Sequence, residues 1–249
     1  LELIDCQNEE TACSPLDVHP LCDRVINGKY VVAVLPAYNS EQTLEATVRE
    51  IPGSIHKVIL ADDRGSDKTV AVARRQGLIV AVRASNRGYG GNRKACCKLA
   101  LENGADAAVT IHSDYQHSPL LVAATANMAA YGVYDLMLEP GTPGGGALRG
   151  RMPFRALTIF QNFCLGASLS EHHTGYRAFT REIPQALPLS NNSEDLVPEN
   201  QVLAQALFLG VGLGEIWWLA RYCEKASYIK YRRSIDYEFD VIETAGNSA

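Results

Sequence analysis

The chain has 249 residues, 47% of them apolar and 20% charged, with a net charge of −5. That composition suits a globular α/β domain with a sizeable core and gives no sign of a nucleic-acid binder, which normally shows a basic face. No apolar run reaches the roughly 18 residues of a membrane span. The N-terminus lacks the basic-then-apolar order of a secretion signal. The sequence therefore reads as a cytoplasmic domain, and its seven cysteines are expected as reduced thiols.

Residues 1–28 are polar and without period, and read as an N-terminal extension. A single domain is expected over 29–240, with a tail at 241–249. Cys6, Cys13, His19 and Cys22 lie near one another but form no CxxC pair, a poor zinc pattern. From Tyr30 to Leu35 an apolar, β-branched run reads as a buried strand, broken by Pro36-Ala37-Tyr38-Asn39. A helix follows, with Ser40 as its cap, Glu41 at its positive end, and Leu44, Val48 and Ile51 on one face. Val58–Leu60 is a second strand, ending at Asp62-Asp63. Residues 67–76 form the next helix, capped by Asp67, and 78–82 the third strand. After Asn86-Arg87-Gly88-Tyr89-Gly90-Gly91 a longer helix runs to Glu102, with Cys96 and Cys97 as small core residues. Residues 107–111 make the fourth strand. Beyond it come a Gly/Pro-rich loop at 140–150, an apolar helix at 154–169, and a turn and strand at 172–179. A helix at 200–209 and strands at 214–220 and 226–232 complete the order. Trp217 and Trp218 would then face opposite sides of a strand, one in the core and one exposed.

Strands alternating with helices predict a mostly parallel central sheet with helices on both faces. In such sheets ligands bind outside the C-terminal strand ends. The polar clusters fall at those ends: Tyr38-Asn39, Asp62-Asp63, Asn86 to Gly91, and His112 to Gln116. Asp114 and Gln116, oxygen ligands at i and i+2 after a strand, can reach one divalent cation, with His112 as a third contact. A departing diphosphate needs such a cation. Asp62 or Asp63 can accept a hydrogen bond from a base N–H or a ribose hydroxyl. The run Asn86 to Gly91 has the character of a phosphate cradle at a helix N-terminus. It matches neither the dinucleotide fingerprint nor the P-loop, and a tight turn explains its glycines equally well.

Taken in order, Pro36 to Asn39, Asp62-Asp63 with Ser66 to Thr69, Asn86 to Gly91, His112 to Pro119, Gly144 to Leu148, His173 to Arg177, Glu199 to Gln201, Glu215 to Tyr222 and Glu224 to Ile229 resemble family 2 glycosyltransferases. The branch they resemble most is the polyprenyl- or dolichyl-phosphate sugar transferases, over about residues 30–237. The resemblance implies a GT-A fold, a nucleotide-diphosphate sugar donor, a Mg²⁺ or Mn²⁺ cofactor and an inverting displacement. It places the donor against Pro36, Ala37, Tyr38, Asp62 or Asp63, Asn86 and Gly91, and the metal on His112, Asp114 and Gln116. Asp114, Arg177 and Glu199 would be catalytic. Arg149 and Arg151 would hold a lipid-phosphate acceptor, with peripheral membrane contact or a separate membrane subunit at the inner face of a membrane. Three positions depart from the pattern. His112 stands where Asp is common, Glu139-Pro140-Gly141 replaces a Gly-Ser-Arg, and Glu199 replaces Asp. These departures leave two alternatives: a soluble or cell-envelope acceptor, and a degenerate nucleotide-sugar-binding scaffold.

Overall fold

The computed structural model describes residues 26–140, 152–195 and 198–217. Buried β-branched and small residues make β1 (Val31–Ala37), β2 (Lys57–Asp62), β3 (Ile79–Val82) and β4 (Ala107–Thr110). Helices α1 (Leu44–Arg49), α2 (Thr69–Arg75) and α3 (Gly88–Glu102) connect them. The second half holds α4 (Val122–Ala130), β5 (Leu136–Leu138), α5 (Met152–Leu165), β6 (Arg177–Thr180), α6 (Glu182–Ala186), α7 (Pro198–Phe208) and β7 (Leu213–Glu215). The seven strands form one sheet in the order β3-β2-β1-β4-β6-β5-β7.

Strands β1 to β4 pair in parallel, and β5 and β7 pair in parallel. Strand β6 is antiparallel to both β4 and β5, so it alone runs against the others. Its first residue, Arg177, lies opposite Thr110 and Leu138, the last residues of β4 and β5. The reversal therefore brings the start of β6 to the edge where the other strands end, the edge at which open α/β sheets bind ligands.

Strand alternation splits the core in two. Val31, Ala33, Leu35, Leu60, Val109, Met137 and Ala178 face α1, α2 and α4. Val32, Val34, Ile59, Ala108, Leu136, Leu138 and Phe179 face α3, α6 and α7. A sheet buried on both faces explains the near-continuous apolar strands. Cys96 lies in the second core, with Cys97 packed against it.

Several local expectations change. Ile26 is buried in the first core and pairs with Lys29, and Asn27 Nδ2 donates to the Ala130 carbonyl at 3.0 Å. Residues 26–28 thus join the folded domain. The rest of the expected extension, its cysteine cluster, the tail and the 226–232 strand lie outside the described residues. Ser40 does not cap α1. Its Oγ meets Ser113 Oγ at 2.8 Å, and the helix starts at Leu44. Asp67 Oδ1 accepts from the Thr69 N–H, but its Oδ2 accepts from Glu41 N, so it also pins the β1–α1 loop. Helix α3 begins at Gly88, inside the glycine run. Strand β7 ends at Glu215, leaving Trp217 half exposed after it, and Trp218 is outside the described residues. Residues 117–139, to which the sequence reading assigns no element, hold α4, which is alanine-rich without charge, and β5, which is three residues long.

Candidate active site

The loops after β1 and β2 are sewn together. Asn39 takes a positive φ of 53° and its Oδ1 accepts from Ser66 N at 2.7 Å. Ser40 N donates to Thr69 Oγ1 at 2.7 Å, and Lys68 N donates to Glu41 Oε2 at 2.7 Å. On α3, Asn92 Nδ2 donates to the Ala61 carbonyl at 2.9 Å, bracing the end of β2. Pro36 and Ala37 finish β1, and Tyr38 stands just past them, 51% exposed.

Asp62 and Asp63 are both buried, but their surroundings differ. Asp63 accepts from the Arg87 N–H at 3.1 Å and pairs with Arg83 Nε at 3.5 Å. Asp62 Oδ2 accepts from Gly65 N at 3.0 Å, while its Oδ1 has no hydrogen-bond partner among the described residues. Burial raises its pKa above the ordinary carboxylate value. A side chain at Gly65 would meet both Asn39 Oδ1 at 3.0 Å and Asp62 Oδ1 at 3.2 Å. The missing Cβ keeps a gap over that oxygen.

The glycine run has a different role from the cradle expected of it. Asn86 Oδ1 accepts from Gly88 N at 2.9 Å, so the side chain is spent on the turn. Gly90 N donates to the Asp195 carbonyl at 2.7 Å, and Gly91 N to the Glu194 carbonyl at 3.1 Å. A Cβ on Gly90 would sit 2.6 Å from the Ser193 carbonyl oxygen. These amides bind the 193–195 segment and are not available to a phosphate. The glycines let two backbones touch, and the Gly91 amide serves that contact.

After β4, four rings stack in a row. The centroids of Tyr89 and His112 are 5.8 Å apart, those of His112 and His117 5.3 Å, and those of His117 and Tyr176 5.7 Å. Tyr89 O–H donates to Glu199 Oε1 at 3.1 Å. His112 Nε2, 3.3 Å from that phenol oxygen, must therefore be the donor in its own contact. The Nδ1 lone pair is then the one through which His112 can meet a cation. Burial, then the Arg93 charge, brings His112 down to about 4, so the ring is neutral. Asp114 is half-buried, and burial raises its carboxyl. Its Oδ1 accepts from Gln116 N at 3.1 Å and its Oδ2 from Gln116 Nε2 at 3.0 Å. Gln116 thus turns its amide nitrogen onto Asp114. Among the described residues no group of three His, Cys, Asp or Glu could hold a metal ion.

Beneath the rings lies a charged cluster that spacing did not reveal. Glu199 pairs with Arg93 Nε and, at 3.1 Å, with Arg177 Nε. Arg177 Nε also donates to the Thr174 carbonyl at 3.3 Å, and the residue is 2% exposed. Burial alone would raise Glu199, but Arg93, Arg177 and the Tyr89 hydroxyl hold its carboxyl below the ordinary value. These partners favour the ionised form of Glu199, and Arg177 Nε is engaged inside the fold. The structure thus gives both residues a part in holding the fold, beside the catalytic roles that the resemblance implies for them. Arg93 is the partner sequence reasoning missed. Its one signal is a lone charge on the helix face that carries Cys96 and Ala100.

Glu139, just past β5, is fully buried. Its Oε2 lies 3.2 Å from His117 Nδ1, and its Oε1 has no hydrogen-bond partner among the described residues. Burial pushes this carboxyl up to about 9 and His117 down to about 3, so both are neutral at pH 7. Arg149 and Arg151, expected at the acceptor, lie outside the described residues.

The sequence model of Glycosyl transferase family 2 matches residues 32–183, well over half of the chain, and the chain belongs to that family. It is 25% identical over 197 residues to an uncharacterized protein of Methanocaldococcus jannaschii, covering 77% of this chain and 81% of the relative. It is 26% identical over 173 residues to the polyprenol monophosphomannose synthase of Mycolicibacterium smegmatis, covering 64% of each. Among solved structures it resembles the glucosyl-3-phosphoglycerate synthase of Mycobacterium tuberculosis in complex with Mn²⁺, uridine diphosphate and glucosyl-3-phosphoglycerate. The TM-score is 0.72 at 20% identity, over 89% of this chain and 80% of that one. The fold is GT-A, with a mostly parallel seven-stranded sheet.

Proposed function

We propose that this domain moves a sugar from a nucleotide-diphosphate sugar to a polyprenyl phosphate, with inversion at the sugar carbon. The observation that carries the reading is the arrangement of open carboxylates at one sheet edge. Asp62 Oδ1 lies unpartnered under the gap at Gly65, and half-buried Asp114 stands after β4, with the end of β1 between their strands. The polyprenyl-phosphate relative supports the acceptor class.

In this reading Pro36, Ala37 and Tyr38 border the nucleotide, and Asp62 accepts from its base or ribose. Asp63 holds the loop at Arg87. The residues present fit a divalent cation of the Mg²⁺ or Mn²⁺ type. One carboxylate, Asp114, and a neutral His112 nitrogen leave most of the coordination to diphosphate oxygens and water, the usual habit of such ions. When bound, the cation supplies neutralising charge to the leaving diphosphate. The acceptor phosphate has a second pKa of about 6, so it is already largely anionic and needs no base. Its oxygen forms the bond to the sugar carbon while the carbon–oxygen bond to the diphosphate breaks, and the electron pair leaves with the diphosphate. Arg149 and Arg151 are the candidates for gripping the acceptor.

Calorimetric titration of nucleoside diphosphates with Mn²⁺, Mg²⁺ or EDTA tests the donor site. The expected result is metal-dependent binding of one nucleotide, lost in Asp114→Ala, with turnover falling about a hundredfold or more. Binding indifferent to EDTA and to that substitution would overturn it. Transfer assays with a polyprenyl phosphate and with 3-phosphoglycerate separate a lipid acceptor from a soluble one.

A further inference from the structure

Helix α5 is amphipathic in the wrong sense for a helix on a globular domain. It turns Leu157, Thr158 and Gln161 inward, and Gln161 Nε2 donates to Asn200 Oδ1 at 2.9 Å. Outward it presents Ile159 at 71%, Phe160 at 39% and Phe163 at 86% exposure. Positions 156, 159, 160 and 163 follow the i, i+3, i+4, i+7 spacing of one helix face. A compact domain ordinarily hides such a stripe, and an exposed one marks an interaction surface.

Charge identifies the partner. Residues 140–170 contain three arginines, Arg149, Arg151 and Arg155, and no Asp, Glu or Lys, in a chain whose net charge is −5. Arg155 is exposed on the first turns of α5. Basic residues beside exposed Ile and Phe are the chemistry of a helix lying in the headgroup layer of an anionic bilayer. A second copy docked stripe to stripe would instead set like charges against each other. The helix is also well placed. Gln161 ties it to Asn200, next to Glu199, and Ser170, five residues beyond its end, bonds to Glu215 at the end of β7. Both contacts lie at the edge that carries the candidate site.

We infer that the Ile159–Phe160–Phe163 face of α5, with Arg155 beside it, docks the domain on an anionic lipid surface and holds the site edge against it. This deepens the lipid-phosphate reading but fails separately from it.

The test is flotation of the whole chain with phosphatidylcholine vesicles, with or without phosphatidylglycerol. The wild type is expected to float with the anionic vesicles, less so in high salt. Ile159→Ser/Phe163→Ser is expected to lower the bound fraction about tenfold, with an unchanged unfolding midpoint, because both side chains are exposed. Arg155→Glu is expected to weaken binding to anionic vesicles alone. A wild type that ignores both vesicle types overturns the inference, as does a double variant that floats like the wild type. A concentration-dependent dimer that the double variant abolishes, without vesicle binding, reassigns the face to self-association. Vesicle binding without transfer to polyprenyl phosphate upholds the docking surface and sinks the lipid acceptor. Transfer in detergent by a protein that ignores vesicles does the reverse.

Discussion

At the ends of β2 and β4, carboxylates keep coordination open. Among the described residues Asp62 Oδ1 is unpartnered, and half-buried Asp114 accepts from the Gln116 backbone and side-chain nitrogens. At the start of β6 and α7 the charges close on themselves. Arg93 and Arg177 both hold Glu199, and Arg177 is 2% exposed. Both regions sit on one sheet edge, and the resemblance assigns donor-binding, metal or catalytic residues to both. The difference lies in the neighbours, since Asp62 and Arg177 are about equally buried. Charges taken out of water beside a counter-charge are matched on the spot, as at Glu199, whereas Asp62 Oδ1 is left without a partner among the described residues.

The largest effect expected from that contrast is at Glu199. Glu199→Gln leaves two buried guanidiniums without a counter-charge and should cost about 3–5 kcal/mol in denaturant unfolding. Wild-type stability with lost transfer would break the comparison and return Glu199 to the chemistry. Next comes Gly90→Ala. Its new Cβ would collide with backbone at Ser193 and Glu194, so a loss of about 1–3 kcal/mol is expected. Nucleotide affinity measured on the folded fraction should hold. If affinity falls and stability stays, the run from Asn86 to Gly91 is a phosphate cradle after all. The third effect is a slope with pH, the smallest of the three within any one pH unit. The folded protein keeps the Glu139 proton up to about 9, while the unfolded chain loses it near 4.5. Between those values the folded state binds more protons, so this group lowers stability as pH rises, by at most about 1.4 kcal/mol per pH unit. Urea midpoints across that range should fall less steeply in Glu139→Gln. An unchanged slope would show that Glu139 is ionised in its pair with His117.

The first half of the fold was legible because its signals are local. β-branched runs, the Pro-Ala-Tyr-Asn break and the paired aspartates each state their element within a few residues, and β1 to β4 follow from them. The choice between Asp62 and Asp63 was not local. It depends on Arg83 and Arg87, 20 and 24 residues beyond Asp63, taking Asp63 and leaving Asp62. His112 was visible as a departure, but its orientation depends on Tyr89 and, through the Tyr89 proton, on Glu199.

By itself the sequence determined the period of the elements, the edge at which the polar groups collect and the membership of family 2. These follow from side-chain pattern along the chain. Only the tertiary structure decided which charges remain available. The reversal of β6 carries Arg177 to the site edge, and α3 brings Arg93 to meet Glu199 there. Whether a carboxylate binds a ligand or locks the fold depends on which distant cation the packing sets beside it, and spacing along a chain does not encode that neighbour.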